Sequence, residues 1–397
     1  MAWKKPNANG IIKERSGGKA MKFIHIADLH LGKRLNDVSM LEDQAHILRQ
    51  ITEIAKEEKA DAVLIAGDVY QKASPPAEAM SLFNEFLTEL TAQGMKTFVI
   101  SGNHDSDMRI SYLSSLVRRS GVYISEKFEG KLQQYTFTDA FGEITISLLP
   151  FIRPQLVRRF YPEEKIESYT DAVRVVFEHS AINPAKRNII LAHQFITGAE
   201  TSDSEEFAVG GLDNIEASVF EGFDYVALGH IHKPQRAGAE MIRYAGSPLK
   251  YSFSEVNHQK SVTVIEIKEK GSCDLRLVPL EPLHDMREVS GSMQEIMAMP
   301  YSEDYMRVVV TDEEVSPDAR VTVSTVFPNM MSFGVQNSKT KTDIDVLAKE
   351  SIEDKSIAEL FCDFFRLQNN DVEPGEAQMK VFYEVLQKLE DEGYEAD

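Results

Sequence analysis

Five short apolar runs in this chain each stop on a carboxylate, an amide or an imidazole. No other feature constrains the fold as much. Phe23 to Ala27 ends at Asp28, with His30 two residues on, and Ala62 to Ala66 ends at Gly67-Asp68. Thr97 to Ile100 leads into Gly102-Asn103-His104-Asp105, Asn188 to Ala192 ends at His193, and Asp224 to Leu228 ends at Gly229-His230, with His232 beyond. Runs of this length and composition read as buried strands. Helical stripes separate the first three: Leu41, Ala45, Leu48, Ile51 and Ala55, then Met80, Phe83, Phe86, Leu87 and Leu90 behind Pro75-Pro76. Proline in the first turn suits a helix start. Strands alternating with helices predict an α/β sheet with parallel strands, and in such sheets functional groups collect beyond the carboxyl ends of the strands.

Asp28 and His30 lie two apart, so both side chains can leave one side of a strand end. Carboxylate oxygen beside imidazole nitrogen suits a divalent metal. Five of the ten histidines fall just past a strand in this way. His25, inside the first run, reads as a core histidine, and His46, His179, His258 and His284 as surface or structural groups.

Farther along, Ile144 to Leu149, Met241 to Ala245 and Ser261 to Ile267 read as strands closing the domain near Pro279, with more antiparallel character than the first half. Residues 281–340 read as a smaller α+β unit with a strand at Met306 to Val310; Val321 to Val326 fits helix and strand equally. Residues 341–355 form a charged linker. Residues 356–397 form a helix pair with apolar faces at Ile357, Leu360, Phe361, Phe364 and Phe365 and at Met379, Phe382, Val385, Leu386 and Leu389. Two helices bury little surface alone, so these faces predict docking. Residues 1–20 read as a disordered leader, with Met21 as the natural start.

The net charge of −20 argues against unaided nucleic-acid binding, but it is uneven. Residues 343–397 carry 16 acidic and 5 basic residues, a net −11, which leaves the remainder able to carry a basic surface. No apolar run approaches the roughly 18 residues of a membrane span, and no apolar stretch near the start suggests secretion. Cys273 and Cys362 lie far apart without metal-ligand spacing and read as reduced thiols. A cytoplasmic protein that does not engage a membrane is expected.

The order Asp28-x-His30, Gly67-Asp68, Gly102-Asn103-His104-Asp105, His193, Gly229-His230-x-His232 resembles the calcineurin-like metallophosphoesterases over roughly residues 21–280. The resemblance implies a four-layer β-sandwich flanked by helices, with two divalent metals between the strand ends. It implies that Asp28, His30, Asp68 and His232 hold one cation, that Asp68, Asn103, His193 and His230 hold the other, and that Asp68 bridges. Such a pair polarises a phosphodiester and makes hydroxide available near neutral pH. His104 matches the histidine that contacts the phosphate and protonates the leaving oxygen, with Asp105 able to orient it. Three residues after the bridging position many relatives carry an Asp or His in support of that imidazole; this chain has Gln71.

Together, Ala27 to Lys33, Leu41 to Gln44, Ala66 to Tyr70, Thr201 to Glu205 and Ala245 to Glu255 resemble the SbcD family of bacterial nuclease subunits, over nearly all of residues 21–395. That implies a manganese-dependent enzyme of DNA repair and recombination: an exonuclease on duplex ends and an endonuclease on single strands and hairpins. It also implies a homodimer through the nuclease domain, a capping domain over residues 281–340 that helps select DNA, and a terminal helix pair docked on the coiled coil of an SbcC-type ATPase. Lys33, Arg34 and Arg109 follow metal motifs directly and are candidates for DNA-backbone contact. A phosphatase or other phosphodiesterase on the same fold, and a non-catalytic scaffold for an ATPase, are the alternatives.

Overall fold

The computed structural model describes residues 10–15, 19–36, 38–205 and 214–337, with short pieces between 361 and 382. Two sheets lie face to face. The first runs Cys273–Pro279, Ser261–Ile267, Met21–Ile26, Ala62–Ala66, Lys96–Ile100, Val122–Ile124. Its last four strands are parallel, with Phe23 opposite Ala62 and Ala66 opposite Ile100. Its first two are antiparallel. The second sheet runs Gly10–Arg15, Gln133–Asp139, Gly142–Leu149, Arg187–His193, Tyr225–Gly229, Ala239–Tyr244, Gln235–Ala237.

The alternation of side chains explains why these strands are apolar throughout. Phe23, Leu64, Phe98 and Tyr123 point between the sheets, where they meet Tyr135, Ile144, Ile189 and Tyr225. Ile24, Ile26, Val63 and Ile65 point the other way, onto the helices Leu41–Glu57 and Ala77–Ala92. The helix Tyr169–Glu178 covers the far side of the second sheet through Ala172, Val173 and Val176. A strand buried on both faces needs apolar residues at both parities. The result is helix, sheet, sheet, helix. His25 sits inside the sandwich as expected, its Nδ1 2.9 Å from the Tyr225 hydroxyl.

The second half has more antiparallel character than the first, as expected: Gln133–Asp139 runs against Gly142–Leu149, Gln235–Ala237 against Ala239–Tyr244, and Ser261–Ile267 against both of its neighbours, while Gly142–Leu149, Arg187–His193, Tyr225–Gly229 and Ala239–Tyr244 form a parallel centre. One expectation is corrected. The leader is not disordered throughout, because Gly10–Arg15 forms a strand parallel to Gln133–Asp139, with Gly10 opposite Tyr135.

Beyond Pro279, the strands Met286–Gly291, Tyr305–Val310 and Met330–Val335 form a parallel three-stranded sheet. The helices Met293–Met297 and Ala319–Ser324 pack on it around Ile296, Met306, Val308, Val323 and Phe327. The segment that fitted helix or strand from sequence is therefore helical over most of its length. This cap is tied to the sandwich by buried Asp43, which accepts the His284 N–H at 3.1 Å and the Tyr305 hydroxyl at 2.7 Å, and by Lys250 on Asp285 at 2.9 Å. The expected linker lies outside the described residues, as does most of the expected helix pair, within which Phe361 stacks on Phe382 at 4.3 Å between centroids.

Candidate metal centre

The carboxyl ends of the central strands of both sheets open on one spot. Asp28, His30, Asp68 and His230 each leave their strand with a left-handed backbone, at φ of 54°, 45°, 48° and 103°. That conformation costs roughly 1–3 kcal/mol per residue and persists only where the surroundings enforce it. Here a backbone zipper does so beyond the strand ends: Asp28 N–H to Gly67 O at 3.1 Å, His30 N–H to Asp68 O and Leu31 N–H to Val69 O, both at 2.9 Å. Gly102 allows the close approach of the Asp68 loop, because a Cβ there would lie 2.0 Å from Asp68 Oδ1.

Each carboxylate is held by one oxygen and offers the other. Asp28 Oδ1 accepts the His230 N–H at 2.9 Å, while its buried Oδ2 has no hydrogen-bond partner. Asp68 Oδ1 accepts the His104 N–H at 3.0 Å, and its Oδ2 lies 3.3, 3.7 and 3.9 Å from Nε2 of His193, His30 and His104. The imidazoles are held in the same manner. His193 Nδ1 donates to Ala66 O at 2.8 Å, which turns Nε2 toward Asp68, and Nε2 of His30 and of His232 face each other at 3.0 Å. The Asn103 Oδ1 amide oxygen lies 3.1 Å from both His193 Nε2 and His230 Nδ1. Ligand atoms of Asp28, His30 and His232, of His30, Asp68 and His104, and of Asp28, Asp68 and His193 each gather within 4.8 Å.

Burial and mutual charge set the protonation of this cluster. Burial pushes Asp28 up to about 7, against the pull of His193 and His232. Burial would raise Asp68 too, but His193 and His30 hold it well below the usual carboxylate range. Burial lowers His30 and takes His230 down to about 3. Against burial, the charge of Asp68 raises His193 to about 9. Buried carboxyl groups and imidazoles converging with one orphaned oxygen fit hard divalent cations held by oxygen and nitrogen.

All seven expected ligand residues therefore meet in one pocket, and His104 stands at its edge, its ring 5.0 Å from that of His30. Asp105 does something different from what was expected. Its carboxylate accepts the N–H groups of Val69 at 3.1 Å, Tyr70 at 3.0 Å and Gly102 at 3.0 Å, so it braces the Asp68 loop rather than orienting His104. Burial and the charge of Asp68 push it up to about 7 against those three donors. The Gln71 side-chain oxygen is buried without a hydrogen-bond partner and makes no bond to His104. Lys33 sits over the Tyr251 ring at 5.3 Å, and Arg34 begins an exposed two-residue strand. Nη1 of the exposed Arg109 donates to Ala73 O at 3.0 Å and to the Ser74 hydroxyl.

Sequence reasoning assigned no role to Gln44 and Tyr251, though both fall in segments singled out for resemblance. Gln44 accepts the Gly32 N–H at 3.0 Å and donates to His30 O at 2.8 Å and the Tyr251 hydroxyl at 3.1 Å. Tyr251 in turn donates to Leu29 O at 2.5 Å. Together they fix the loop that presents His30.

The paired sheets and the carboxylate–imidazole cluster define a phosphoesterase of the calcineurin-like class, and residues 21–234 match the Calcineurin-like phosphoesterase family. Residues 282–369 match the Type 5 capsule protein repressor C-terminal domain. The SbcD subunit of the SbcCD nuclease of Staphylococcus epidermidis is 32% identical over 79% of this chain and 84% of its own. The protein of the same name from Staphylococcus saprophyticus is 30% identical over 86% of this chain and 92% of its own. A solved dimetal phosphatase from Danio rerio aligns over 67% of this chain and 98% of its own at TM-score 0.39 and 13% identity. The chain belongs to the SbcD family of calcineurin-like metallophosphoesterases.

Proposed function

We propose that this protein is the nuclease subunit of an SbcCD-type complex. It cuts DNA phosphodiesters with two manganese ions, from duplex ends as an exonuclease and at single strands and hairpins as an endonuclease. The observation that carries the reading is the placement of Asp68 Oδ2 within 3.9 Å of three imidazole Nε2 atoms contributed by different segments. Asp28, His30, Asp68 and His232 would hold one cation, and Asp68, Asn103, His193 and His230 the other. When bound, the pair supplies Lewis-acid polarisation of the phosphate and an activated water.

The chain's own residues supply the rest. The backbone zipper from Asp28 to Leu31 and the three amide bonds of Asp105 keep the ligand loops from relaxing. His104 Nε2 faces the pocket and is placed to donate a proton to the departing oxygen of the cleaved strand. Lys33 and Arg34, on the loop beside it, would meet the DNA backbone.

The relatives' shared name supports an SbcC-type partner, in which a coiled-coil ATPase takes the terminal helices. Met108, Tyr112, Leu113 and Leu116 stand exposed on one short segment of the sandwich domain, which supports homodimerisation there. We place the protein in the cytoplasm, at the nucleoid; among the described residues no helix is long and apolar enough to cross a membrane.

The test is digestion of an end-labelled hairpin duplex with manganese, with and without a chelator, beside His104→Ala and beside hydrolysis of a chromogenic phosphomonoester. Chelator-sensitive opening and shortening of the hairpin is expected. Faster turnover of the monoester than of DNA would replace this reading with a phosphatase.

A further inference from the structure

Two segments marked by resemblance, residues 201–205 and 245–255, take no part in the ligand set, yet both close on the back of His232. Glu255 is completely buried. Its Oε1 lies 3.2 Å from His232 Nδ1 and also accepts the Ser204 hydroxyl, while its Oε2 is 2.5 Å from Lys260 Nζ. Lys260 donates further to His232 O and to the Ser247 hydroxyl, both at 2.8 Å. Glu205 Oε1 accepts the His232 N–H at 2.7 Å, and its Oε2 is held by the N–H and hydroxyl of Ser202 at 2.6 and 2.8 Å. The Asp203 N–H bonded to the Ser254 hydroxyl at 3.0 Å joins the two segments directly. His232 is therefore gripped at its ring, its amide and its carbonyl by three charged residues.

A buried carboxylate–ammonium pair is an expensive way to fill space. Desolvating each ion is costly, and apolar side chains of similar volume often serve stability as well. What the pair does that apolar groups could not is define a proton position. A neutral imidazole carries one N–H, and a carboxylate at Nδ1 demands it there. Nε2 of His232 then keeps its lone pair, aimed at the point that His30 Nε2 also faces from 3.0 Å.

We propose that Glu255, anchored by Lys260, is the positioning residue that sets the tautomer and direction of His232. It thereby controls the affinity of the cation taken by Asp28, His30 and His232, and leaves the cation beside Asn103 and His193 alone. This rests on the two-cation reading given above. Glu255→Gln keeps the shape, but its amide oxygen turns to the Lys260 ammonium. Its NH2 then faces His232 and moves the imidazole proton to Nε2.

Manganese titration of the full-length chain by calorimetry, with free Mn2+ followed by its solution EPR signal, separates the possibilities. The unaltered chain takes two ions; in Glu255→Gln one of them binds about 10–100-fold more weakly, and the other is unchanged. Two unchanged affinities, or two that fall together, overturn the inference and leave the two-cation reading standing. Fewer than two ions in the unaltered chain removes both. Should the single variant fail to fold, Glu255→Ala with Lys260→Met strands no buried charge and carries the same comparison.

Discussion

The Nε2 atoms of His30 and His232, from opposite sheets of the sandwich, face each other at 3.0 Å. Two lone pairs at that distance repel, so without a cation between them one ring must carry a proton at Nε2. A cation lets both act as acceptors at once. Binding is thus coupled to the join between the sheets. Manganese at 100 times its dissociation constant should stabilise the chain by about 2.7 kcal/mol for each ion bound, read as a rise in the urea midpoint. An unmoved midpoint would show that the ions do not fasten the two halves.

Proton release gives a second test. Without a cation, Asp28 titrates at about 7 and His193 at about 9, so both hold a proton at pH 6. Cation binding must displace these protons, and its affinity should therefore rise with pH. About two protons should leave per chain at pH 6 and about one at pH 8, measured by calorimetry in buffers of different ionisation enthalpy. Equal heats in all buffers would contradict the assignment.

His104 touches the pocket through its ring and the Asp68 loop through its backbone N–H, and only the first is lost on truncation. His104→Ala should lower the cleavage rate by about 10²–10⁴-fold with both manganese affinities intact. A variant that loses ions along with rate would make His104 a ligand.

Asp105 holds three backbone amides with one carboxylate. Asp105→Ala should cost roughly 2–4 kcal/mol of stability in urea and weaken manganese at the same time, because the loop carrying Asp68 loses its brace. A stable variant with a shifted pH–rate profile would instead restore the idea that Asp105 acts through His104.

Asp43 and Gln44 are neighbours on one helical turn with different holdings. Asp43 grips the cap through His284 and Tyr305, and Gln44 grips the His30 loop. Asp43→Ala should raise hydrogen exchange around residues 283–286 and 305 while the cap's own core, around Met306 and Val323, stays protected. Exchange spreading through residues 306–310 would mean that the cap cannot hold its fold without the sandwich.

Much of this was legible in the chain because a buried strand ending on a polar ligand leaves a sharp boundary. Asp28, Asp68, Asn103, His193 and His230 all stand at such boundaries, and the structure gathers them. Strands away from the sheet centres were harder to read. Gln133–Asp139 pairs its buried Tyr135 and Phe137 with polar neighbours, a pattern of period two that is short and weak. The helix Tyr169–Glu178 went unread, although Ser168 and Asp171 form a capping box at its start. Asp105 misled because adjacency in sequence suggests a partnership with His104. Besides the nearby Gly102 N–H, its oxygens in fact accept from Val69 and Tyr70, some 35 residues away, which no local pattern shows.

The ligand atoms come from residues 28 to 232, split between the two sheets, and the strand at Ser261–Ile267 completes the first of them beside Met21–Ile26. A nascent chain emerging from the ribosome cannot assemble the pocket until well past its midpoint. The pocket therefore depends on a strand made some thirty residues after its last ligand, and a chain cut short before Ser261–Ile267 would carry every ligand residue on an unfinished sheet.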